Sequence, residues 1–321
     1  MLTRGALEDA ARLIRPFVPP TPQYAWPLLA DRTGCEVWVK HENHTPVGAF
    51  KIRGGLTYLD ALSRNDPAAA GRGLITATRG NHGQSLAFAA SHLKIPITIV
   101  VPHGNGVEKN AAMRAWGATV IEHGHDFEAA RQYAVAEAAS RNLHMVPSFH
   151  ADLVRGVATA DFEFLTAVPD LHSVYVPIGQ GSGICAAIAV RDLLGLATEI
   201  VGVVSAHADA YAQSFETGVL VTTATADTFA DGVACRVPVA ASLDIIRVGA
   251  ARIVRVTDGE VRAAIRAYYE CTHNISEGAG AAPLAALLQE REAMAGRRVG
   301  LVLTGANIDR VMLAEILGSD Q

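Results

Sequence analysis

The chain has 321 residues, half of them apolar, which is enough for a large core in one big domain or two moderate ones. Its 27 basic and 32 acidic residues give a net charge of −5 with no long basic block, so no nucleic-acid partner is expected. The longest apolar runs are strand-length, so no membrane association is expected either.

Taken in order, the N-terminal MLTRGALEDAARLIRPF has the spacing of an amphipathic helix and lacks the apolar stretch of a secretion signal. Strands are predicted at 36–40, 74–77, 97–101, 119–121, 174–178, 200–205, 252–256 and 298–303. Between them, alanine-rich segments with helical periodicity run over 83–93, 107–116, 126–141, 154–167, 183–195, 258–270, 279–291 and 308–317. Mostly apolar strands alternating with helices predict an α/β protein with parallel sheets covered on both faces. The four cysteines are scattered with no CxxC pair, which argues for reduced thiols and a cytoplasmic location.

Four segments rich in glycine or small polar residues interrupt this pattern: GAFKIRGG (48–55), TRGNHGQ (78–84), GQGSG (179–183) and TGAN (304–307). Ligands of open α/β sheets sit at such loops, beyond the carboxyl ends of strands. GQGSG joins a strand to a helix, where small residues and helix N–H groups can approach a phosphate. It is neither a dinucleotide fingerprint, since position 184 is Ile184, nor a P-loop, since no GK[ST] follows. A nicotinamide oxidoreductase therefore fails on its fingerprint, and a smaller phosphorylated cofactor is favoured. Lys51, between small residues and Phe50, gains nucleophilicity if partly desolvated. TRGNHGQ adds hydroxyl, amide and backbone donors at a helix start, which suit a carboxylate or a phenolic oxygen.

The ordered set AFK, T-x-GNH-x-Q, G-x-G-S-G and TGAN resembles the fold-type II pyridoxal-phosphate enzymes, the tryptophan synthase β-like class of threonine and serine dehydratases and serine racemase. The likeness runs over essentially the whole chain. It implies that Lys51 is the Schiff-base lysine, that Phe50 packs on the cofactor and that Asn81 meets its phenolic oxygen. It further implies that Gly179, Gln180, Gly181, Ser182 and Gly183 bind the phosphate, with Glu277 near the ring and Thr304 beside the pyridine nitrogen. Thr78, Arg79, Gly80, Asn81 and His82 would hold the substrate carboxylate. Family members have a large domain, here 1–70 with 149–321, and a small mobile one, here 71–148; a homodimer is the family expectation.

Three departures narrow the reaction. Thr304 offers a hydroxyl where a carboxylate would keep the pyridine nitrogen protonated, which favours expulsion of a β-substituent over transamination. Arg79 stands where serine racemase has its second base, and a guanidinium is a poor proton acceptor, so racemisation is disfavoured. Arg79 itself is left with two readings, contact with substrate or with solvent. The family's cation-binding acidic positions appear as Val204 and Ala210, with His207 and Asp209 beside them, and no metal is expected there. The resulting expectation is a dehydratase converting a β-hydroxy-α-amino acid, threonine-like or phenylserine-like, to a 2-oxo acid and ammonia. A racemase of the same fold and a non-catalytic cofactor-binding protein are the alternatives.

Overall fold

The computed structural model describes residues 2–319. Its strands are β1 (Gln23–Ala25), β2 (Glu36–His41), β3 (Leu74–Ala77), β4 (Ile97–Val101), β5 (Thr119–Glu122), β6 (His144–Met145), β7 (Ser173–Pro177), β8 (Glu199–Ser205), β9 (Arg252–Val256) and β10 (Arg298–Leu303). They form a six-stranded sheet, ordered β1-β2-β10-β7-β8-β9, and a four-stranded sheet, ordered β5-β4-β3-β6. Every pairing is parallel except β1 with β2. The central strands are buried on both faces, which is why they read as continuous apolar runs rather than alternating ones.

In the larger sheet the chain steps outward from β7 to β8 to β9, then returns to place β10 between β2 and β7. Helix Ser182–Leu194 after β7 joins the core on one face, while helix Arg310–Leu317 after β10 joins the core on the other. A crevice therefore opens at the carboxyl ends of β7 and β10, where the winding reverses. The smaller sheet repeats the device: helix Asn81–Leu93 after β3 packs on one face and helix Phe127–Ser140, leading to β6, on the other.

Besides β1, β6 and helices such as Pro27–Thr33, Ala210–Thr217 and Ala240–Gly249, which the sequence reading does not include, one site segment differs from expectation. The segment 48–55 is read above as a loop, but helix Lys51–Asn65 begins at the lysine itself. Its glycines serve contact with neighbouring helices: a Cβ on Gly55 would lie 2.2 Å from Ser85 Oγ. Arg53 on this helix is fully buried and paired with Glu42 and Glu163. Close packing has overridden the weak helix propensity of glycine.

Asp209, in the segment where the family binds a cation, is 2.9 Å from Arg255 Nε and accepts from Gln213. Val204 and Ala210 are buried core residues. Among the described residues no three His, Cys, Asp or Glu side chains are grouped as metal ligands, and no helix is long and apolar enough to cross a membrane.

Candidate active site

The carboxyl ends of β3 and β7, together with Ser148 shortly after β6 and Thr304 after β10, face one cleft with about 890 Å³ of space between its walls. Every site residue picked out from the sequence lines this cleft, from Phe50 and Lys51 through the 78–82 and 179–183 loops to Glu277 and Thr304. Residues more than two hundred positions apart meet because both sheets aim their winding reversals at the same space.

Of the four lysines in the chain, Lys40 is paired with Glu163, Lys109 with Asp231, and Lys94 is exposed. Lys51 has no acidic partner among the described residues, and its Nζ donates to Ser182 Oγ at 2.6 Å. Burial alone pushes its ammonium down to about 8, so a free amine is accessible near neutral pH. Phe50 anchors the entry to this helix by donating its N–H to the Thr304 carbonyl, and Lys51 Nζ lies 4.8 Å from the Phe50 ring centroid.

The 179–183 loop turns at Gly181, whose φ is +93° and where an added Cβ would lie 2.6 Å from Ser242 Cβ, which leaves no room for a side chain. Helix Ser182–Leu194 starts directly behind it, so its first N–H groups point into the cleft. Gln180 reaches Cys235 Sγ at 3.1 Å. In the facing loop, Thr78 Oγ1 accepts from the N–H groups of Gly80 and Gly83 and thereby shapes the turn. Its hydroxyl hydrogen remains to donate. Asn81 donates to Glu277 Oε1 at 2.6 Å and accepts from Asn307 at 2.8 Å, leaving its second amide hydrogen free. Burial first, then the charge of Lys51, pushes His82 down to about 3, so its ring is neutral.

Sequence reasoning named Arg79 and Glu277 but missed Asp231 and Lys109 beside them. Asp231, on a short 3-10 turn, binds Arg79 Nη2 through Oδ1 at 2.7 Å and Lys109 Nζ through Oδ2 at 2.6 Å. Burial pushes the Glu277 carboxyl up to about 7 despite nearby Lys109. Asp231 falls in an irregular stretch whose only signal, Asp-Gly, reads as a turn.

These residues fit pyridoxal phosphate. A buried lysine without a counter-ion suits an amine destined for a covalent bond, and the glycine cradle at a helix N-terminus suits a phosphate. Comparison with known proteins agrees: the family model described as pyridoxal-phosphate dependent enzyme matches residues 14–305. An L-threonine ammonia-lyase of Geobacter sulfurreducens is 37% identical, covering 88% of this chain and 69% of that relative. An L-threo-3-hydroxyaspartate ammonia-lyase of Saccharomyces cerevisiae is 30% identical, covering 99% and 97%. Among solved structures, the processed threonine deaminase isoform 2 of Solanum lycopersicum has a TM-score of 0.88 at 28% identity, covering 98% and 93%.

Proposed function

The chain belongs to the family of pyridoxal-phosphate dependent enzymes of fold-type II, and from that premise we propose that it is a dehydratase, removing water and then ammonia from a β-hydroxy-α-amino acid. Its cofactor is pyridoxal 5'-phosphate, which when bound stabilises the electron pair left at Cα after proton loss. Lys51 would hold the cofactor covalently through Nζ, and the same amine would take the Cα proton of the substrate. The 179–183 loop holds the phosphate through backbone N–H groups and Ser182. The free amide hydrogen of Asn81 would meet the phenolic oxygen, and the Thr304 hydroxyl would serve the pyridine nitrogen. Backbone donors of the 78–82 loop hold the substrate carboxylate.

The observation that carries the choice of reaction is that both residues line the cleft: Lys51 offers an amine able to accept a proton, whereas Arg79, at the position of serine racemase's second base, cannot. With one base at Cα the outcome is loss of the β-hydroxyl as water, and the released enamine hydrolyses to a 2-oxo acid and ammonia. We extend the reading to residues 71–148 moving as a small domain, to a homodimer and to a cytoplasmic location. The test is a panel of serine, threonine, 3-hydroxyaspartate and phenylserine, assayed for 2-oxo acid and for the opposite enantiomer. Release of 2-oxo acid outpacing inversion is expected. Inversion without 2-oxo acid would overturn the proposal in favour of a racemase, and coloured protein with neither product would make it a binding protein.

A further inference from the structure

The charged end of the cleft holds two cations against one carboxylate. Arg79 and Lys109 both rest on Asp231, one on each oxygen. Arg79 meets Asp231 through Nη2 alone rather than through the two-point pair that its guanidinium edge is built for. Its Nη2 is used, while its Nε is buried without a hydrogen-bond partner. A buried donor left unpaired costs on the order of 1–3 kcal/mol. Glu277, whose carboxyl is pushed up by burial, and Asp309, which acts on Lys109, also face this cluster, while Asp126 and Glu128 near Arg79 are paired with Arg236 and Arg131. The side chain of Arg79 is 28% exposed and lines the cleft, within the loop that directly precedes Asn81.

We propose that Arg79 is a specificity-determining residue that receives an anionic group on the substrate's β-carbon, so the enzyme acts on dicarboxylic β-hydroxy amino acids of the 3-hydroxyaspartate type. This rests on the dehydratase reading and narrows its substrate. A carboxylate at the β-carbon gives the Nε and Nη2 edge the partner that Asp231 alone does not supply, while Lys109 stays on Asp231. The competing wall is apolar: Phe127, Ala234 and Cys235 line the same cleft and would receive a methyl or phenyl group instead.

L-Aspartate and L-alanine lack a β-hydroxyl, so their binding reports recognition without turnover. Each is titrated against the visible absorbance of the cofactor-loaded enzyme, in wild type, Arg79→Ala and Arg79→Lys. Wild type is expected to bind aspartate at least about tenfold more tightly than alanine, the size of a charge-assisted hydrogen-bond contribution. That ratio collapses towards one in Arg79→Ala and falls to an intermediate value in Arg79→Lys, which keeps the charge but not the fork. If Arg79→Ala fails to fold, the wild-type ratio and the lysine variant still decide. Equal binding of the two ligands by wild type would overturn the inference. So would equal loss of both in the variants, which would put Arg79 on the α-carboxylate or in a purely structural role. Failure of the dehydratase reading shows separately, as absence of 2-oxo acid from every β-hydroxy amino acid whatever the binding ratio.

Discussion

Lys51 and Arg53 lie two residues apart on helix Lys51–Asn65, yet they meet opposite surroundings. Arg53 is enclosed by Glu42, Glu163 and Thr159, with Lys40 also bound to Glu163. Its charge is matched, and Glu42 and Glu163 hold it more firmly protonated than usual although burial works against that. Lys51 faces the cleft bonded to one hydroxyl and, among the described residues, paired with no acid. One helix thus fixes itself to the large sheet through a neutralised cation while presenting an unneutralised amine to the ligand. A buried ion pair holds shape; a buried cation without one becomes reactive.

The widest separation of the two should come from Lys51→Ala. Turnover is expected to fall on the order of 10³-fold or more, because both covalent attachment and the base are lost. The melting temperature should hold, since no ion pair is broken. Glu42→Ala should do the reverse. Removing one partner from a fully buried pair costs about 3–5 kcal/mol, visible as a large drop in the urea midpoint. Folded enzyme at low temperature should keep its KM within a small factor.

Acidity sharpens the same contrast in two carboxyls. For Glu42, burial raises the pKa, but Arg53 and Lys40 outweigh it and the result is lowered. Its stability contribution is therefore lost as pH falls below the ordinary carboxylate range. Glu277 in the cleft is raised to about 7, so the folded state holds a proton that the unfolded chain releases. Its contribution to apoenzyme stability should be full below about pH 4.5 and lost as pH rises to about 7. Urea midpoints of wild type and Glu277→Gln across pH 4–8 check this, and the variant should lack that decline. Lys51 supplies a kinetic counterpart. Cofactor uptake by apoenzyme should accelerate with pH around a midpoint of about 8, where its amine loses its proton. The smallest effect is expected from Ser182→Ala, which removes one hydrogen bond to Lys51 and should weaken cofactor affinity by about tenfold or less.

Much of this was legible because strand, glycine turn and helix follow one another within a dozen residues at 74–84 and 173–183. Apolar runs mark the strands, and the turn chemistry marks where they point. Helix Lys51–Asn65 was not legible, because Gly54 and Gly55 look like loop residues until the neighbours that need their smallness are present. The Arg79–Asp231–Lys109 cluster was not legible either. Its members come from a loop after β3, from helix Val107–Ala115 and from a 3-10 turn, and no sequence period relates them. Local signals reveal elements and their ends; a charge cluster assembled across two sheets exists only after folding.

The central claim is that Lys51 carries the cofactor, and borohydride reduction followed by peptide mass mapping tests it most directly. With four lysines in the chain the outcome is discrete. The reduced cofactor is predicted on the peptide containing Lys51, with visible colour lost in step with labelling. A label on Lys40, Lys94 or Lys109, or colour that survives reduction with no lysine modified, would contradict the account.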